Sequence, residues 1–218
     1  MLIDARIMAK RNLVIIGAGG FGRTVYGIAL ECEGYGSFYT VKGFLDDNLN
    51  ALDDFPNYPP IVGTISDYKP SIDDVFICSL GGSSRRTVTE KWLSQGADFI
   101  NLIHQTARIR TNVQLGKGNI ICPFVSIGVD SSVGSYNIFQ SFTTIGHDVI
   151  MGDFNRIDTH VTCVGGVRIG NDVDIYTSSV INNGVVIEDG AHVGACSLVI
   201  KKVKSGTTVL GVPAKVIF

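Results

Sequence analysis

From Ile109 onward an apolar residue stands at every sixth position: Ile109, Leu115, Ile121, Ile127, Val133, Phe139, Ile145, Met151, Ile157, Cys163, Ile169, Ile175, Ile181, Ile187, Val193 and Val199. All sixteen are apolar, glycine follows directly in seven cases, and the fifth place of each hexad is small, β-branched or Asn. A period of six suits neither a helix of 3.6 residues per turn nor a lone alternating strand. It suits a triangular coil with one short strand per side, so that three hexads close a turn and residues eighteen apart stack. The repeat predicts an all-β left-handed parallel β-helix over residues 104–218, about five coils with a C-terminal tail.

Ahead of the repeat the pattern changes. Residues 13–22 are a short apolar run ending in Gly17-x-Gly19-x-x-Gly22, followed by a helix-compatible stretch to Leu30. A second strand is expected over 40–45, ending in Asp46 and Asp47, and a third over 75–80, ending in Gly81-Gly82. A helix from Arg85 and Arg86 to Gln95 follows, then a last strand over 98–103, with 101–106 as the link to the repeat. This βαβ order predicts a parallel α/β sheet, a Rossmann-like domain over 1–103. Its glycine turns and acids fall at the carboxyl ends of successive strands, where open α/β sheets take ligands.

Composition agrees with a β-rich solenoid: the 218 residues include 26 glycines, 6 prolines and 17% charged side chains. The net charge of −2, spread without blocks, points to no nucleic acid partner. The N-terminal apolar stretch is too short to span a membrane and already carries turn glycines, so neither membrane insertion nor a secretion signal is expected, and Met8 is a candidate native start. Five cysteines without a C-x-x-C read as buried thiols in a reducing cytoplasm.

The histidines His104, His147, His160 and His192 occupy different phases of the coil, which sets a metal site aside. His147 lies at a corner beside Asp148, and an imidazole there is a candidate general base for acyl transfer, with the carboxylate orienting it. Gly165 stands eighteen residues on and stacks on His147; its N–H is a candidate oxyanion donor. Thr159, Thr177 and Ala195 form a column of small side chains on another edge, suited to a slender pantetheine arm. Lys201, Lys202 and Lys204 are candidate partners for coenzyme A phosphates.

With these residues placed, the chain resembles the bacterial sugar acetyltransferases that include sialic acid O-acetyltransferases and N-acetyltransferases of UDP- or GDP-linked 4-amino sugars. The resemblance rests on GAGGFGR, GFLDDN, NLIHQTA, TTIGHDVIMGDF and the terminal GVPAKVI, and covers nearly the whole length. It implies a homotrimer with acetyl-CoA between neighbouring β-helices, a nucleotide sugar on the N-terminal domain, and a direct attack without an acyl-enzyme. It assigns His147 as base, Asp148 as its partner and Gly165 as oxyanion donor. Arg156, Thr177 and Ala195 match acetyl-CoA positions, and Gly19, Gly20, Phe21, Asp46, Asp47 and Gly81 match the sugar-nucleotide site. Phe21 and Arg156 stand where relatives have His, and Gln140 where they have Asn. Two other readings compete: a β-helix scaffold that only senses nucleotide, which thiol release from acetyl-CoA would exclude, and an NAD-linked enzyme with a β-helical tail, which selective protection by NAD would support.

Overall fold

A computed structural model describes residues 10–218; the candidate start at Met8 lies outside them. The chain divides into two compact units, Met1–Leu102 and Ile103–Phe218.

The first unit is a parallel sheet ordered β3-β2-β1-β4, with β1 Arg11–Ile16, β2 Tyr39–Leu45, β3 Ile61–Gly63 and β4 Asp74–Cys78. Helices α1, Gly20–Leu30, and α2, Gly82–Ser94, follow β1 and β4. Leu13 to Ile16 and all of β4 are buried, as near-continuous apolar runs in a covered parallel sheet should be. Sequence patterning misses β3, whose preceding Pro59 and Pro60 read as a turn, whereas proline is compatible with the edge position that β3 takes. The strand expected over 98–103 does not form: Phe99 makes a single bridge to Phe76, held by Phe76 N–H on the Asp98 carbonyl and Ile100 N–H on the Phe76 carbonyl, and the chain then leaves the sheet. Leu102–Ile103, expected within that strand and the following link, instead joins the end of a solenoid sheet.

The second unit is a three-sided parallel β-solenoid. Its sixteen two-residue strands run from Arg108–Ile109 to Leu198–Val199, each on the sixth and first places of a hexad. One face carries Ser126–Ile127, Thr144–Ile145, Thr162–Cys163 and Val180–Ile181; the next carries Ser132–Val133, Ile150–Met151 and Arg168–Ile169; the third carries Ile138–Phe139, Arg156–Ile157, Asp174–Ile175 and His192–Val193. Registers hold at eighteen residues, for example Thr144↔Thr162 and Ile145↔Cys163. Two places of each hexad face inward. The first place supplies the large side chains, each contributing about 1.5–3 kcal/mol by burial, and the fifth supplies Asn137, Val149, Asn155 or Val167. The asparagines of the fifth place accept within the stack through their oxygens: Asn155 and Val173 donate their N–H groups to the Oδ1 of Asn137 and Asn155, both at 2.8 Å, while the buried Nδ2 groups of Asn137 and Asn155 have no partner among the described residues.

The corners have one conformation. All fifteen fourth places from Asn112 to Cys196 are left-handed, with φ between 55° and 70°. A non-glycine residue there costs about 1–2 kcal/mol, and the corner offsets it with a backbone bond to the previous coil, as from Asp148 N–H to the Val129 carbonyl at 3.0 Å. Asn, Asp and Gly accept this conformation most readily, and at one edge they fill the whole column: Asn112, Asp130, Asp148, Gly166 and Gly184. The register closes early at the top. Ile187 bridges Val203, sixteen residues on, and Thr208–Gly211 then pairs antiparallel with Ala214–Val216.

Candidate active site

The edge between the first and second faces carries His147. A residue at the third place of a hexad projects from the coil, and the left-handed turn at Asp148 swings the next side chain beside it. His147 Nδ1 lies 2.6 Å from Asp148 Oδ2, so two neighbours in sequence form the expected pair despite the alternation of a regular strand. Both side chains are about two-thirds exposed, at 63% and 64%. With Nδ1–H donated to the carboxylate, Nε2 carries the lone pair.

Gly165 is the next rung of this column. A Cβ built on it would overlap the imidazole, reaching Nε2 and lying 2.5 Å from Cε1 and 2.9 Å from Cδ2. The ring therefore rests on the glycine, in space that any side chain would fill. Gly165 is buried, its φ is not left-handed, and its carbonyl accepts Gly184 N–H at 3.1 Å and Asn183 Nδ2 at 2.6 Å. Among the described residues, no backbone bond uses the Gly165 N–H. The arrangement offers a base, its orienting carboxylate and an N–H donor within one rung spacing.

The remaining sequence candidates of the solenoid lie elsewhere on it. Thr177 and Ala195 are exposed on the edge between the third and first faces, one rung apart, as Thr159 and Thr177 are. Phe124, Phe142 and His160 stack on the same edge, with centroids 5.0 Å apart in both pairs and planes within 14° and 6° of parallel. Arg156 projects from the third face, where Asp158 binds its guanidinium through Nε at 2.7 Å and Nη2 at 3.4 Å. Lys201 and Lys202 are exposed in the shortened last coil, and Lys202 pairs with Glu188 at 2.5 Å. The first edge and the edge with Thr177 are different corners of the prism, so one chain does not bring these sets together. Cys122 and Cys163 are interior, and burial pushes both thiols up to about 12, which removes them as nucleophiles.

In the first unit the glycines divide by role. Gly22 packs against the Gly17 carbonyl so closely that a Cβ would overlap it, and Gly17 is left-handed at φ 101°. Gly19, Gly20 and Gly81 instead face open space. Gly19 and Gly81 cap α1 and α2 without a side-chain bond, and neither first turn contains an acid, so both helix N-termini keep N–H groups for an anion. Asp46 Oδ2 accepts Ala18 N–H at 2.8 Å and ties the end of β2 to the glycine turn. Asp47 Oδ1 accepts Ile65 N–H at 2.9 Å. Phe21 is half-buried in the first turn of α1. Sequence reasoning passed over two residues here. Ser79 is buried and its Oγ donates to the Ile16 carbonyl at 2.8 Å, fixing the β1 and β4 ends together. Arg23 lies with its guanidinium carbon 3.5 Å from the centre of the Phe55 ring; its place in GAGGFGR was the one available signal.

No three His, Cys, Asp or Glu side chains among the described residues are grouped to hold a metal ion. No helix among them is long and apolar enough to cross a membrane.

Comparison with known proteins adds three findings. Residues 12–92 match the family model of the PglD N-terminal domain. Uncharacterized protein L142 of Acanthamoeba polyphaga mimivirus is 32% identical over 119 residues, 55% of this chain, and the chain spans 23% of that relative's length. The acetyltransferase domain of PglB from Neisseria gonorrhoeae FA1090 is 26% identical with a TM-score of 0.86, over 95% of this chain and 100% of that domain. A second structure of that domain holds acetyl coenzyme A, at the same identity and TM-score. PerB from Caulobacter crescentus, solved with CoA and GDP-perosamine, shares the fold at 24% identity and a TM-score of 0.83, over 97% of this chain and 99% of that one.

Proposed function

We propose that this protein is an acetyl-CoA-dependent acetyltransferase that acetylates an amine or hydroxyl of a nucleotide-linked sugar in the cytoplasm, for surface glycan biosynthesis. The observation that carries the reading is the His147 imidazole held by Asp148 and resting on Gly165, with the Gly165 N–H outside the backbone ladder. The structural likeness to a PglB acetyltransferase domain that binds acetyl coenzyme A supports it.

In this reading the acceptor nitrogen or oxygen attacks the thioester carbonyl directly. His147 Nε2 takes the proton that the acceptor loses, and Asp148 stabilises the imidazolium through Nδ1. Gly165 N–H donates to the oxygen of the tetrahedral intermediate, which collapses to the acetylated sugar with expulsion of the coenzyme A sulfur; that sulfur then takes up a proton. The left-handed β-helix supplies rigid edges, and a Rossmann-like first domain, 1–103, supplies the nucleotide site. The turn at Gly19, Gly20 and Phe21, the cap at Gly81, and Asp46 and Asp47 are its contacts. The same fold in PerB accommodates GDP-perosamine, which agrees with a nucleotide sugar as acceptor.

The positions of the edges support assembly into a homotrimer. His147 and the Thr177–Ala195 column occupy different corners of one solenoid, so a single acetyl-CoA touching both requires two copies. A first edge set against the neighbour's third edge is a heterologous contact, and three such contacts close a ring. On the third edge Thr177 and Ala195 line the pantetheine arm; Arg156 on the third face, and Lys201 and Lys202 in the shortened last coil, serve the phosphate end.

The deciding experiment measures coenzyme A release from acetyl-CoA with a panel of UDP- and GDP-linked amino sugars, beside a His147→Ala variant. Turnover with at least one acceptor is expected, with kcat lower by about a hundredfold or more in the variant. Release that no acceptor stimulates would sink the acetyltransferase reading, and normal turnover by His147→Ala would remove the base.

A further inference from the structure

The second edge of the solenoid carries a ladder of side-chain bonds that the first edge does not share. On the second edge each third-place N–H is consumed by the side chain eighteen residues on. Ser135 N–H goes to Asp153 Oδ1 at 2.7 Å, Asp153 N–H to Asn171 Oδ1 at 2.8 Å, and Asn171 N–H to Asp189 Oδ1 at 2.7 Å. Asn183 stands in the corresponding place above Gly165 and has the same side chain as Asn171. Its bond runs the other way: Asn183 Nδ2 donates to the Gly165 carbonyl at 2.6 Å.

That reversal has two consequences. The carboxamide oxygen that caps an N–H at Asn171 is not spent on Gly165, and the Gly165 N–H stays out of the ladder. The carbonyl that Asn183 holds also belongs to the same peptide as the Gly166 N–H, which donates to the His147 carbonyl at 2.9 Å. A continuous chain therefore runs from the Asn183 amide through the Gly165–Gly166 peptide to the main chain of His147. Peptide groups polarise along such chains, so a donor at one end strengthens the bond at the other.

We propose that Asn183 is a positioning residue for the transfer: it fixes the Gly165–Gly166 peptide, keeps the Gly165 N–H available to the oxyanion, and anchors the backbone of the base. The inference rests on the assignment of His147 and Gly165 made above. Asn183 acts through these two groups and touches no reacting atom.

The test uses the full chain with Asn183→Ala, Asn183→Asp and His147→Ala, under steady-state kinetics and amide hydrogen exchange. Asn183→Ala should lower kcat by about tenfold, below the 10²–10³ of losing an oxyanion donor outright, with KM for acetyl-CoA changed less than about threefold. Gly166 amide exchange should quicken, by up to about twofold, because its bond to the His147 carbonyl is weakened rather than lost. In Asn183→Asp an ionised carboxylate cannot donate to the Gly165 carbonyl, but a protonated one can. Its kcat relative to the parent should therefore rise as pH falls through the carboxylate range, a trend that a general loss of stability would not produce.

Parental kcat in Asn183→Ala, with turnover lost in His147→Ala, overturns the inference and leaves the base intact. Turnover retained in His147→Ala overturns the underlying assignment instead. If Asn183→Ala does not fold, Asn183→Asp decides alone, and a relative kcat that is flat with pH overturns the proposal.

Discussion

Gly165→Ala is the sharpest probe of the first edge, because the added methyl has one destination. The new Cβ would lie 2.5 Å from His147 Cε1, whereas ordinary contact begins near 3.4 Å, so the imidazole must retreat by about 0.9 Å. The backbone does not resist the change: Gly165 φ lies outside the left-handed region, and the ring that must move is 63% exposed. Folding should therefore be little altered, with an unfolding midpoint within a few degrees of the parent. Catalysis should not be spared. A displacement of about 1 Å in a catalytic group costs roughly a hundredfold. The ring also leaves the 2.6 Å contact with Asp148, so kcat should fall between thirty- and a few hundredfold, the lower part of the range for a lost general base. A coenzyme A release assay with saturating acceptor measures it. The double variant with His147→Ala separates causes: if the methyl acts through the ring alone, the pair is no slower than His147→Ala. Gly165→Ala with parental kcat would refute the stacked arrangement.

Further predictions concern stability and thiol chemistry. Asp74 has no exposed side-chain surface and accepts from Lys42, Tyr68 and Ser71; its burial would raise the carboxyl pKa, but these bonds outweigh it and hold the value below the ordinary one. The folded value is depressed, so this stability is present above the unfolded carboxylate pKa and is lost as pH falls below it. Asp74→Asn should cost about 3 kcal/mol at neutral pH in denaturant titrations, on the scale of breaking a buried pair, and should flatten the acid limb of the stability profile; an unchanged acid limb counts against the triad. In thiol labelling of the folded protein, the exposed Cys196 should react quickly and the four buried cysteines slowly, with all five reacting in denaturant. Rapid loss of two or more thiols in buffer would contradict the packed interior.

The sequence made some of this architecture legible because the solenoid is periodic. Once Ile145 and Cys163 are known to stack, His147 over Gly165 follows by counting. What periodicity could not reveal is orientation at the corners. Phe124, Phe142 and His160 share the left-handed fourth place with Asp148 and Gly166, yet nothing in their composition announces a turn. The corner conformation is set by the closing geometry of the coil rather than by local propensity. It also brings His147 and Asp148 together at adjacent positions, where strand alternation would part them. The first unit was less legible for a related reason. Lys42 is the extra residue of a bulge, between Leu13↔Val41 and Val14↔Gly43, and the bulge turns it toward Asp74 across thirty-two positions.

The direction of a hydrogen bond is a still finer matter. Asn171 and Asn183 are the same residue at the same place of the repeat on different edges, and one caps an N–H while the other holds a carbonyl. Their difference lies in the rung below: Asp153 on one edge has a side chain of its own, and Gly165 on the other has none. Glycine leaves room above its peptide for an imidazole on one side and a carboxamide on the other. At this rung the first edge therefore differs from the second through a missing side chain, and the placements of His147 and Asn183 both depend on the space it leaves.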